Sequence, residues 1–322
     1  MYRILIAAKP TGKIYDVTNT VIEADLATQR KSAPGKFTFS WQKVGEDVSF
    51  HEGDIVRLEV DGETQFYGWV FTKEKDRWNR FNVTCYDRLR YLKANASYAF
   101  YGRTAADIIT EIAHDLQIET GALADTGYQI PSLIMSNQPC IDIIQKALDL
   151  TLLNTGRVFC LYDNGDGLSL KASDDWISGY VIGEKSYLTE YLYKTDIDES
   201  TYNYIKLAQP SRETGKTEVV IAEDSYTIGR WGKLQQYTQV NGDYNTAQLT
   251  DMAKQMLANS NRRKRTLSVS SLGIKGLRAG QMIRMNIPAM GDIDLDQYVL
   301  LVTVTHHFQN DLHTMDFETL EV

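Results

Sequence analysis

The chain has 322 residues, 43% hydrophobic and 24% charged, a globular balance too apolar for a disordered chain. Its formal charge of −8 argues against a protein that grips nucleic acid by neutralising phosphates, although it leaves passage of nucleic acid open. No apolar run reaches the roughly 18–20 residues of a membrane helix, and the start "MYRILIAAKPTGK" has no basic segment leading into a long apolar stretch, so synthesis and folding in the cytosol are expected.

Residues 1–92 read as β structure. "RILIAAK", "KFTFSWQK", "DIVRLEV", "QFYGWVFTK" and "RFNVTCYD" are short β-branched or aromatic runs separated by Gly, Pro, Asp and Asn, the pattern of a sandwich or barrel. Residues 93–185 change period and predict a small α+β domain. In "RTAADIITEIAHDLQIETG", Ile108, Ile109, Ile112, Ala113 and Leu116 share one helical face, and Thr104 with Asp107 makes a capping box. A second helix in "CIDIIQKALDLTLLNTG" turns Ile144, Ala147, Leu148 and Leu152 inward and stops at Gly156. "RVFCLYDNGDGLSLKA" then reads as a hairpin. Residues 186–322 return to β runs and predict a second barrel, interrupted by one helix with the stripe Leu249, Met252, Ala253, Met256 and Leu257, capped by Asn245 and Gln248.

The two β regions share a sentence. "EGDIVRLEV" at 52–60 and "AGQMIRMNI" at 279–287 align on Gly53 and Gly280. Val56, Leu58 and Val60 then match Ile283, Met285 and Ile287 on an apolar face, while Ile55, Arg57 and Glu59 match Met282, Arg284 and Asn286 on a semi-polar one. With five extra residues in the later copy, "FYGWVFTK" (66–73) falls on "YVLLVTVT" (298–305). With no further gap, "FNVTCYD" (81–87) falls on "HTMDFET" (313–319). A duplicated barrel on either side of an α+β insertion suits an assembly in which three chains present six similar modules around a closed ring.

These residues resemble a known family. "EGDIVRLEVDGETQFYGWVF…NVTCYDRLRYL", "TAADIITEIAHDLQI", "TDIDESTYNYIKL", "DSYTIGRWGKLQ" and "LRAGQMIRMNIP…YVLLVTVTHHF…HTMDFETLE" follow one another as in the baseplate hub proteins of contractile phage tails. The likeness is to the PBSX-prophage XkdQ type, related to the late control protein D group and, more distantly, to the T4 hub and the base of VgrG spikes. It covers nearly the whole chain through order and spacing. The resemblance implies a mainly β fold with two tail-tube-like barrels flanking the α+β domain, and a homotrimer forming a pseudo-six-fold ring in the baseplate of a virion or tail-like particle. Its implied partners are the tail tube above, the central spike below and other baseplate proteins, with tape measure protein and DNA passing through a channel without specific binding.

No chemistry is required, and the expectation is a structural protein without catalytic residues, cofactor or metal. No G-x-S-x-G, H-E-x-x-H, P-loop or dinucleotide fingerprint occurs. His306, His307 and His313 cluster, but adjacent strand residues point to opposite faces and no cysteine or zinc spacing supports a metal. "DNGDG" at 163–167 lacks the ligands of a calcium loop and reads as a turn. Arg262, Arg263, Lys264 and Arg265 follow the last helix, as a solvated C-terminus complementing the dipole or as an intersubunit or DNA contact. The acidic balance suggests an acidic channel wall, with Glu59 and Asp87 as contributors and Arg262 and Arg263 as interface candidates. The alternatives are a tail-associated peptidoglycan hydrolase resting on two carboxylates, and a carbohydrate binder built from Trp41, Trp69, Trp78, Trp176 and Trp231.

Overall fold

The computed structural model describes residues 1–9, 11–42, 48–210, 217–240 and 244–320. In chain order the first strands are β1 (Tyr2–Ala8), β2 (Lys13–Asp16), β3 (Val21–Gln29), β4 (Lys36–Gln42), β5 (Ile55–Val60), β6 (Glu63–Lys75) and β7 (Arg80–Tyr86). Next come β8 (Asn95–Arg103), α1 (Ala105–Asp115), β9 (Thr120–Leu123), β10 (Ile130–Pro139), α2 (Cys140–Thr155), β11 (Phe159–Asp163), β12 (Leu168–Ala172), β13 (Ile177–Gly183) and β14 (Leu188–Asp196). Then follow β15 (Tyr204–Pro210), β16 (Thr217–Glu223), α3 (Ser225–Trp231), β17 (Gln235–Gln239) and α4 (Thr246–Ser260). The last strands are β18 (Lys264–Leu272), β19 (Met282–Met290), β20 (Ile293–Gln309) and β21 (Leu312–Thr319). The fold is mainly β with α+β parts, as the sequence indicates. Its contacts divide it into two compact units, Met1–Leu192 with Leu267–Leu320, and Tyr193–Thr266.

The larger unit is organised by one long sheet in the order β14-β18-β21-β20-β3-β4-β7-β6-β5-β1-β2, with β19 and β13 branching from β20. Alternation explains its core. The inward positions of β1, β3, β4, β5 and β7 carry Ile4, Ile6, Ala24, Leu26, Phe37, Phe39, Trp41, Val56, Leu58, Val83 and Cys85, all buried together in one cluster. Each fully buried aliphatic or aromatic side chain contributes about 1.5–3 kcal/mol. Phe308 of β20 joins this cluster, so the early and late strands share a core.

Residues Leu89–Ala172 build a second core in the same unit, from α1, α2 and the strands β8, β10, β11 and β12. Thr104 Oγ1 accepts from the Asp107 backbone N–H while the Asp107 carboxylate accepts from that of Thr104, the reciprocal cap foreseen from the sequence. Ile108, Ile109, Ile112 and Ala113 are fully buried. Gly156 ends α2 in the left-handed region at φ 72°.

The smaller unit has a three-stranded sheet, β16-β15-β17, with Ile205, Leu207 and Val220 packed against Leu249 and Ala253 of α4. Asn245 and Gln248 cap α4 reciprocally, as their spacing predicts. The sequence predicts one helix after residue 186; among the described residues there are two. The second, α3, starts where Asp224 accepts from the backbone N–H groups of Tyr226 and Thr227. Its seven residues are too few to show a helical stripe, so only the cap marks it.

Candidate assembly interface

The repeat is real in three dimensions. β5-β6-β7 and β19-β20-β21 are both antiparallel meanders, and β4 flanks β7 as β18 flanks β21. Gly53 and Gly280 open them at φ 88° and 95°. The Gly53 N–H donates to the Val70 carbonyl at 2.8 Å, and the Gly280 N–H donates to that of Leu301 at 2.9 Å. Val56 and Leu58, like Ile283, Met285 and Ile287, are fully buried, and Val60 is 6% exposed. Arg57 pairs across the ladder with Tyr67, and Arg284 with Tyr298. In both copies the register slips by one residue, at Phe71 between Val70 and Thr72 and at Val302 between Leu301 and Thr303. Such shared bulges bend the two long strands at the same place.

This register corrects the alignment read from the sequence. Tyr67, not Phe66, corresponds to Tyr298, so the later copy gains one residue fewer than expected in its first hairpin. Cys85, facing Val70, corresponds to Thr319, facing Leu301, so the second hairpin does carry a further insertion. The copies also diverge outside the meander, because β1 pairs antiparallel with β5 whereas β13 pairs parallel with β19.

The two copies meet at a strand seam. Along one side β20 pairs with β19 as far as Leu300; past the bulge, Thr303–Phe308 pair antiparallel with Ala24–Gln29 of β3. On the core side of this seam, His306 Nε2 lies 2.6 Å from the Leu277 carbonyl and its Nδ1 2.9 Å from His313 Nε2. Burial pushes both imidazoles down to about 4. They border a cavity of about 260 Å³ that also touches Val60, Glu63, Trp176, Lys275 and Arg278.

On the opposite face, polar side chains form rungs across the strands. Ser270 Oγ donates to Asp316 at 2.6 Å, and His307 reaches Asp316 at 3.1 Å and Asp25 at 2.7 Å. Ser40 lies 3.1 Å from Glu23 and 2.9 Å from Asn82. The registers put Glu74, Thr84, Thr305 and Glu318 on this face as well. The face is rich in hydroxyls and carboxylates.

A buried polar joint ties the meanders to the α+β core. Arg88 donates from Nη1 to both Asp163 oxygens at 3.0 and 3.1 Å, its backbone N–H adds a third bond to Asp163, and Arg278 donates to the Asp163 carbonyl at 2.9 Å. Beside them Asp87 accepts from the N–H groups of Gly35 and Leu89. Burial, reinforced by the charge of Asp163, raises its carboxyl to about 8. Cys160 is buried under Ala279 and Gly280, and burial pushes its thiol up to about 11.

The other residues marked from the sequence scatter. Asp87 is 3% exposed and sits at the joint, so it cannot line a channel; a carboxylate near a strand end looks like a surface group until the packing around it is known. Glu59 is half-buried on β5 between Arg3 and Arg57, one strand beyond β6 in the sheet. Arg262 and Arg263 are exposed beyond α4 in the smaller unit, where the Arg262 carbonyl accepts from Thr201. His306 and His307 lie on opposite faces of β20. In "DNGDG", the Asp163 carboxylate is committed to Arg88, and Asn164 closes the turn by accepting from Asp166 and Gly167. Sequence reading missed Arg88, Arg278 and the His306–His313 pair as a unit; no local pattern marks residues joined only by tertiary contact.

A family model described as YQBQ-like matches residues 24–320. The chain belongs to the YQBQ-like family. YqbQ of Bacillus subtilis (strain 168) is 33% identical to this YQBQ-like chain over 324 residues, 98% of this chain and 96% of its own. The phage-like element PBSX protein XkdQ of the same organism is 33% identical over 276 residues, 85% of this chain and 83% of its own, so the XkdQ resemblance extends through most of the sequence. Among solved structures, the 43 kDa tail protein of prophage MuSo2 from Shewanella oneidensis has this fold with a TM-score of 0.70 at 12% identity, over 99% of this chain and 98% of that one. The family match spans the duplicated meander, the α+β core and the unit Tyr193–Thr266 of this YQBQ-like chain.

Proposed function

We propose that the chain is a structural hub of a contractile-tail baseplate, in a phage or a phage-tail-like particle, acting as a homotrimer. Three chains with two meanders each form a pseudo-six-fold ring that matches a six-fold tail tube on one side and a three-fold spike on the other. Other baseplate proteins pack around it, and tape measure protein and DNA pass through its centre. The observation that carries this reading is the seam of β3 on β20: one module already docks edge-on against its duplicate, as neighbours in a ring must. Relationship to a prophage element protein and a prophage tail fold supports the setting.

In this ring the rung-bearing face is the channel wall. On the strands that carry the rungs, the carboxylates Glu23, Asp25, Glu74, Asp316 and Glu318 outnumber the cations Lys36 and Arg80, so DNA is repelled enough to slide; Arg57 of β5 and Arg284 of β19, farther along the same face, are each paired with a carboxylate. This reassigns the acidic wall from Glu59 and Asp87 to these strands.

Native mass spectrometry and light scattering of the full chain over a concentration series test the proposal. Three-fold association is expected, strengthened by the spike; a monomer at every concentration that cleaves peptidoglycan replaces the hub with the hydrolase reading. A sugar platform finds little support in the tryptophans, since Trp41 is 2% exposed and Trp78, at 67%, stands on a turn beside Arg77.

A further inference from the structure

We infer that the outer edge of β6 beyond Val70 is a docking edge for β14 of a second copy of this chain. The inference rests on the ring reading and names the strands that close it.

The argument is one of equivalent places. β20 has β21 on one side, while on the other it exchanges β19 for β3 just past its bulge. β6 is the same strand in the other copy. It has β7 on one side through Lys75 and β5 on the other as far as Val70, with the bulge at Phe71. Past that bulge, Thr72–Lys75 have no strand on the second side among the described residues. This is the edge that β3 fills on β20.

The strand that should fill it is also identifiable. In the sheet order β3 stands next to β4, and β14 stands next to β18, the counterpart of β4. β14 is the strand at one end of the described sheet, β2 the strand at the other. Where it is filled, the place is well covered: Ala24, Leu26 and Thr28 of β3 are 1%, 5% and 6% exposed. On β14, Tyr191 and Leu192 stand 36% and 68% exposed. Apolar side chains on a terminal strand are an aggregation hazard unless something covers them. An open segment of β6 in one copy and its complement β14 at the sheet's end in the next make a head-to-tail contact, which closes into a ring when the rotation between modules allows it. By analogy with the internal seam, the pairing is antiparallel.

Disulfide trapping of the full chain tests this. Glu74→Cys is combined in turn with Glu190→Cys, Tyr191→Cys and Leu192→Cys, three adjacent positions that cover both faces of β14. The native Cys85, Cys140 and Cys160 are buried with raised thiol pKa values, so they give little background. Mild oxidation is expected to give a covalent ladder ending at the trimer for at least one pairing and none for the single variants. A second variant, Leu192→Asp, alters an exposed side chain and is expected to weaken association at least tenfold with unchanged melting. A trimer in native mass spectra that no pairing traps and that Leu192→Asp leaves intact overturns this edge assignment while leaving the ring. A chain monomeric at all concentrations, alone and with its spike, overturns both.

Discussion

The imidazoles of His306 and His313 lie 2.9 Å apart on the core side of the seam, one on each strand of the β20-β21 hairpin. With Nε2–H of His306 donating to the Leu277 carbonyl, its Nδ1 is the acceptor for Nε2–H of His313. His306 must be neutral for this arrangement, because a protonated Nδ1 could not accept from His313. Their folded pKa values near 4 lie below the unfolded value of 6.5, so the contribution is fully present above pH 6.5 and is lost as pH falls from there through 4. Melting temperature is expected to drop over that window. In His306→Phe the midpoint at neutral pH should fall, but the slope between pH 6.5 and 4 should flatten. A slope equal to that of the native chain would assign the acid sensitivity elsewhere.

Asp87 works in the opposite direction. Its folded pKa of about 8 lies above the ordinary 3.8, so the folded state holds the proton more tightly and its stability contribution declines as pH rises from about 4 to 8. Asp87→Asn removes that titration. Relative to the native chain, the variant should gain stability steadily between pH 5 and 8, by about 1 kcal/mol or more, as read from denaturant midpoints at each pH.

The two repeat glycines should respond unequally to the same change. Gly53→Ala meets open space, so only its positive φ counts, a cost of about 1–2 kcal/mol. Gly280→Ala has the same backbone strain and also drives its new carbon into the Sγ and Cβ of Cys160. It is expected to cost at least twice as much, and Cys160→Ala should recover part of the difference. Equal losses in thermal unfolding would show that the joint around Cys160 yields freely.

Arg88 and Asp163 are buried partners, so truncating either leaves an uncompensated charge. Arg88→Ala should cost about 3–5 kcal/mol. Arg88→Met combined with Asp163→Leu should cost clearly less than the sum of the single changes, giving a coupling of at least about 1 kcal/mol in a double-mutant cycle. Additive losses would mean that the pair is held apart by water or by its other partners.

Local physics made much of this molecule legible. Period-two runs marked most strands, the spacings Thr104–Asp107 and Asn245–Gln248 marked helix starts, and the alternation around Gly53 and Gly280 identified both the duplication and its apolar face. The slip came in the second strand, where Phe66 had been matched to Tyr298. Phe66 is 4% exposed and Tyr298 49%, so that alignment put opposite faces together. Hairpin length and bulges set register, and neither is written in a short apolar pattern. The sequence by itself determined the elements, their faces and the repetition, because backbone preference and side-chain alternation act over a few residues. Which strands become neighbours was decided only by the tertiary structure. His307 meets Asp25 and Arg88 meets Asp163 because distant strands bury a common core, and burial is a property of the whole assembly of contacts.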